Sequence, residues 1–145
     1  MFGMYMKFNI ISVVCLLFFG AANAQKTKII NDTLSYARKF ETNKEKYIGK
    51  PFSLLLKDMA LMQPTKAKSD IREDSDNPLP GTIFIFSDKD INSEKEVTMA
   101  IKWKADAAPT TPLEFFEQEH NYRFTANEKN FLEKKIVKDI AVYRR

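Results

Sequence analysis

Cysteine occurs once in this chain of 145 residues, histidine once, tryptophan once and glycine four times. The cysteine, Cys15, sits inside an apolar leader, so the remainder has no thiol for a disulfide, a nucleophile or a cysteine–zinc centre. Beyond the leader the glycines are Gly49 and Gly81, which excludes a glycine-rich phosphate loop. His120 is the lone imidazole and would have to serve any catalytic triad by itself. Ser53, Ser87 and Ser93 stand in no nucleophile-elbow sequence.

What is present starts with a leader. Lys7 precedes an apolar run from Ile10 to Phe19, broken by Ser12, and Ala22-Asn23-Ala24 follows before Gln25. A positive start, a short apolar segment and a small-x-small site are the parts of a secretory signal peptide, here cleaved after Ala24. The run falls short of the roughly 20 apolar residues of a membrane span. Cys15 lies in the middle of that run rather than at its end after a small residue, so lipidation is not expected. The cleavage pattern resembles that of small exported proteins of Gram-negative bacteria. The expectation is a periplasmic or secreted protein: residues 1–24 removed, residues 25–145 one domain, and no membrane span after cleavage.

Composition fits a soluble globular domain, at 44% hydrophobic and 29% charged. Beyond Lys7 the chain carries 22 Lys and Arg against 19 Asp and Glu. The small basic excess forms no stripe with interleaved aromatics, so nucleic acid is not the expected partner.

Asp32 to Tyr47 reads as a helix, with Tyr36, Phe40 and Tyr47 recurring on one side and Asn31 or Asp32 as cap. Gly49 breaks the chain, and Ser53 to Met59 reads as a short apolar helix behind Pro51. Lys66 to Arg72 has the form of a polar edge strand before an acidic, proline-bearing loop. Thr82 to Ser87 is a β-favouring apolar run, and Val97, Met99, Ile101 and Trp103 alternate with polar or small residues. These two segments are predicted to pair as an antiparallel hairpin with a long tip.

Thr111-Pro112-Leu113-Glu114 and Thr125-Ala126-Asn127-Glu128 both have the form of a capping box. Short helices are therefore expected from Pro112 and Ala126, burying Leu113, Phe116, Phe131 and Leu132. Lys135 to Tyr143 fits a strand with Ile136, Ile140 and Val142 on one face, or an extension of the preceding helix; its β-branched residues favour the strand. The fold class expected is α+β: a small antiparallel sheet built on a central hairpin, with N-terminal helices and two short C-terminal helices packed against it.

Asp88, Asp90, Asn92, Glu94 and Glu96 place oxygen ligands at alternate positions, a pattern suited to calcium. They resemble the first part of an EF-hand loop, with Ser93 in place of the turn glycine and Met99 in place of the bidentate glutamate. Turn residues of a solvated hairpin tip have the same composition. Asp70, Glu73, Asp74 and Asp76 form a second acidic stretch that solubility alone accounts for. Glu117-x-x-His120 resembles half of a carboxylate-bridged di-iron site, but that site needs the motif twice. His120 otherwise reads as a helix C-terminal cap or as a base oriented by a carboxylate.

Trp103, Phe115, Phe116 and Tyr122 are the candidate recognition surface, since aromatics anchor binding hot spots. The alternative for Trp103 is packing beneath a helix. Adjacent Phe115 and Phe116 cannot both face the same core line. Gly49-Lys50-Pro51 ahead of Ser53-Leu54-Leu55-Leu56 resembles the glycine-then-helix entry of small envelope-assembly lipoproteins. The function expected is a non-catalytic binding or interaction module of the periplasm or cell surface, needing no cofactor, with another envelope protein as partner. The alternative is a small carboxylate-based hydrolase or ligand carrier, which requires a concave pocket rather than an exposed apolar patch.

Overall fold

A computed structural model describes residues 32–145. The leader, its cleavage position and the Asn31 cap lie outside the described residues. Strands β2 (Gly81–Ile85) and β3 (Val97–Trp103) form the hairpin that the apolar patterning predicts, with Thr82 opposite Ile101 and Phe84 opposite Met99. Strand β1 (Lys66–Asp70) joins the far side of β2, and β4 (Val137–Arg144) the far side of β3. The result is a four-stranded antiparallel sheet in the order β1-β2-β3-β4.

The inner face of this sheet carries Val97, Met99, Ile101 and Trp103 of β3, Phe84 of β2 and Ala67 of β1. On β4 the expected facing is corrected. Val137, Ile140 and Val142 are buried while Ile136 is only half-buried. The register shifts at Trp103, which pairs with Val137 whereas Lys102 pairs with Asp139, so Lys138 is an extra residue that turns Val137 inward. A strict two-residue period cannot anticipate such a bulge.

Helix α1 (Thr33–Thr42) stops short of Tyr47: the Asn43 side chain donates to the Lys39 carbonyl at 2.9 Å, and a 3-10 turn (Lys44–Lys46) follows. Gly49 has φ of 80°, a left-handed conformation that favours glycine. The turn there aims its N–H at the Val137 carbonyl, 2.8 Å away, and Phe52 donates to Lys135 at the same distance. Helix α2 (Phe52–Asp58) is thereby tied to the start of β4. Phe52, fully buried, packs its ring 5.1 Å from both Phe84 and Trp103 and sits at the centre of the core. Burying a side chain of that size contributes about 1.5–3 kcal/mol.

Helices α3 (Thr111–Glu119) and α4 (Ala126–Leu132) close the same face with Leu113 and Leu132. Phe116 and Phe131, expected in the core, are half-buried at its margin. The two capping boxes part company. At α4 the box forms: Thr125 Oγ1 accepts from Asn127 N, and Thr125 N donates to Glu128 Oε2 at 2.8 Å. At α3 the cap is Thr110, which makes no side-chain capping bond, and Thr111 already lies within the helix. No helix among the described residues is long and apolar enough to cross a membrane.

The two threonines give a direct comparison. Thr125→Ala is expected to cost about 1–2 kcal/mol, the value of a working cap. Thr111→Ala should cost less than about 0.5 kcal/mol, as for a surface site. Urea titration of both variants measures the difference.

Candidate functional site

Among the described residues the four helices feed one core on the inner face, and none of them lies on the outer face of the sheet. Partners across the strands share a face. Lys68, Ile83, Ala100 and Ala141 therefore form one outer row, and Asp70, Gly81, Lys102 and Asp139 the next. A third row, Lys66, Ile85, Thr98 and Tyr143, lies under the long hairpin tip. There Arg145 donates to Thr98 Oγ1 and the Ile91 carbonyl, Lys68 donates to Asn92 Oδ1 at 3.2 Å, and Ile85, Ile91 and Thr98 are buried.

The part left uncovered is a groove of about 440 Å³ between the first two rows and the 71–80 loop. Its floor is Gly81, Ile83 and Ala100, and four cations line it: Lys68, Arg72, Lys102 and Lys138. Against them stands one carboxylate, Asp70, which accepts from Arg72 Nη2 at 2.9 Å and Nε at 3.1 Å. Lys102 and Lys138 make no ion pair among the described residues. Gly81 keeps the floor low and β2 close to β3, because a Cβ there would lie 3.0 Å from the Ile101 carbonyl oxygen.

A second polar cluster lies on the helical side. Glu117 and Glu128 are both buried, each at a position where α3 or α4 faces the core. Glu117 accepts from Ser69 N and Ser69 Oγ, both at 2.7 Å. Ser69 Oγ bonds Thr82 Oγ1 at 2.8 Å, which accepts from Trp103 Nε1 at 2.9 Å. With Glu117 ionised and therefore only accepting, the donors run in one direction: Trp103 to Thr82 to Ser69 to Glu117. Glu128 is bonded by Thr125 N, Thr125 Oγ1 and His120 Nδ1. Burial pushes the Glu117 carboxyl above its ordinary value, more than the Ser69 bonds pull it down, and the charge of Glu128 adds to the rise. Burial also pushes Glu128 upward, but the bonds from Thr125 and His120 outweigh it and hold that carboxyl low.

The four aromatics singled out from sequence do not form one surface. Trp103 is fully buried, its N–H committed to Thr82. Phe115 is 60% exposed, whereas Phe116 is half-buried and stacked parallel to the His120 ring at 6.2 Å. Tyr122 has φ of 64°, unusual for a residue with a side chain. That conformation presents its carbonyl to Ala67 N at 2.9 Å, while Lys68 Nζ lies 5.5 Å from its ring.

In the hairpin tip Asp90 Oδ1 accepts from Asn92 N, Glu96 accepts from Ser87 Oγ, and Asn92 is held by Lys68. Of the calcium candidates Asp88, Asp90, Asn92, Glu94 and Glu96, these bonds engage Asp90, Asn92 and Glu96. Among the described residues no three His, Cys, Asp or Glu side chains are grouped to hold a metal ion. The groove was not legible from sequence because its cations come from four separate segments that only strand register brings together. Comparison with protein-family models, curated proteins and solved structures finds no match for this chain. Fold and groove together define an α+β protein with one sheet face clothed in helices and the other concave, cationic and open.

The buried carboxylates set the sign of a pH effect. Glu117 has a raised folded value, so its contribution is fully present below its ordinary 4.5 and is lost as pH rises through the folded value. Glu128 has a lowered one, so its contribution is present above 4.5 and is lost as pH falls. Glu117→Gln keeps an acceptor for Ser69 N but removes the charge. Relative to the native chain, this variant is expected to gain stability between about pH 4 and about pH 7, read as a shift in urea midpoint. A constant difference across that range would show that the Glu117 carboxyl titrates alike in the folded and unfolded chain.

Proposed function

We propose that this chain is a non-catalytic binding module of the periplasm or cell surface, of the ligand-carrier kind that a concave site favours over an apolar patch. It binds through the face of its sheet that the described helices leave uncovered. The observation carrying this reading is the groove: a concavity of about 440 Å³, within the range of ligand sites, whose lining holds four cations against the single carboxylate of Asp70. A carboxylate-based hydrolase, by contrast, needs an acid and a base converging on a cavity. Glu117 and Glu128 are instead spent on Ser69, Thr125 and His120. The exported location rests on the leader of residues 1–24. Phe115 supports a second contact surface, for another envelope protein, because it is a large apolar side chain left 60% exposed.

The test uses the chain as its own cell delivers it. Protein recovered from the envelope fraction should begin at Gln25. Its amide resonances are then followed while low-molecular-mass and macromolecular fractions of envelope extract are added. Shifts centred on Ile83, Ala100, Lys102 and Lys138 are the expected result. Shifts confined to Phe115 and Phe116 would move the binding surface to α3, and no shift with any fraction would sink the reading.

A further inference from the structure

We propose that the groove is a site for a two-ended anion: a linear molecule with a carboxylate or phosphate group at each end and an aliphatic middle. This inference rests on the open-face reading above and names the ligand class it takes. The charges fall into two banks. Lys68 and Arg72 stand on the β1 side, Lys102 and Lys138 on the β3–β4 side, and Gly81, Ile83 and Ala100 lie between them. Asp70, Gly81 and Lys102 are register partners in one row, so the strands that carry Lys68 and Lys102 run two strand spacings apart, about 10 Å.

Each bank has chemistry to offer. Arg72 brings a planar fork matched to carboxylate or phosphate, shared at present with the exposed Asp70 carboxylate. Lys68 donates to a neutral amide oxygen, and at the other side Lys102 and Lys138 make no direct ion pair among the described residues, although Asp139, already bonded to Lys44, stands opposite Lys102. A monoanion satisfies one bank and leaves the other. A short dianion cannot span them, and a wholly polar one leaves Ile83 and Ala100 without an apolar contact. A peptide added as a further strand is disfavoured, because N–H groups at both sheet edges are already taken: Ser69 N by Glu117 and Val142 N by Glu41.

The probes are linear dicarboxylates from succinate to sebacate, with octanoate and inorganic phosphate as one-ended controls. Binding to the mature protein is measured by calorimetry and by amide shifts at low and high salt. Affinity should rise with length and peak near azelate or sebacate, about tenfold or more above succinate, octanoate and phosphate. The double variant Lys102→Gln, Lys138→Gln should lose about tenfold or more, the scale of a charge-assisted contact at one end. Asp70→Asn should bind more tightly, since it frees Arg72. That opposite sign separates a site from general loss of fold, and an unchanged melting temperature in the lysine variant secures the comparison.

Equal binding of octanoate and sebacate would overturn the two-ended site, as would lysine variants that bind like the native chain or no binding of any dicarboxylate. If envelope fractions shift the open-face amides while no dicarboxylate does, the ligand class falls and the open-face reading stands. If neither does, both fall.

Discussion

Four antiparallel strands present two faces and two edges, and one layer of short helices can cover only one of those faces. The rest of the molecule follows from how the remaining surfaces are managed. An unprotected edge is a template for pairing with another chain. Here β1 and β4 are the edges, and each surrenders an outward N–H to a glutamate on a helix: Ser69 N to Glu117 of α3, Val142 N to Glu41 of α1. The Tyr122 carbonyl takes Ala67 N, and Phe124 N donates to Thr65, so the α3–α4 connection runs along β1 as a cover. The strained Tyr122 backbone has a local purpose, because without that turn its carbonyl would not reach the edge.

Closing an edge with a buried carboxylate has a cost, and the polar chain from Trp103 offsets it. A buried indole N–H requires an acceptor. Trp103 finds Thr82, Thr82 finds Ser69, and Ser69 delivers two bonds to Glu117. One line of bonds thus fixes the rotamer of the central aromatic, the β1–β2 register and the position of α3. A one-residue slip of β1 would turn Ser69 to the outer face and break every link. The second carboxylate, Glu128, does comparable work within the α3–α4 connection by joining the Thr125 cap to His120. Both glutamates are therefore explained by the fold, which is why the cluster that looks most like chemistry is not the place to seek ligands.

Legibility in the sequence followed the range of the interaction. The β2–β3 hairpin was readable because period-two alternation is local, and the Thr125 box because its partners stand three residues apart. Thr111 offered the same letters but lies inside its helix, since the chain enters α3 one residue earlier. On β4 the alternation misled: the extra Lys138 moves Val137 rather than Ile136 into the core. Glu117 was unreadable as a buried group, because its partner Ser69 is 48 residues away. The groove was hidden for the same reason. Lys68, Arg72, Lys102 and Lys138 look like scattered surface charges until register sets them around Gly81, Ile83 and Ala100.

The open face then poses a question of solubility. Ile83 and Ala100 offer apolar surface on a broad sheet, the kind of face on which two copies could stack. A symmetric contact, however, places the same patch against itself. Two such faces would bring the lysines and arginine of one groove against those of the other, with Asp70 and the neighbouring Asp139 as the compensating carboxylates on each side. Burying so many like charges together costs far more than the few apolar side chains return. The rim therefore disfavours the most abundant wrong partner, another copy of the same chain, while leaving the floor available to a partner of opposite charge. A face that needed only to stay soluble could have achieved that with mixed signs, as the hairpin tip does. If the groove is the binding site we propose, its excess of four cations over the one carboxylate of Asp70 is what an anionic ligand would meet.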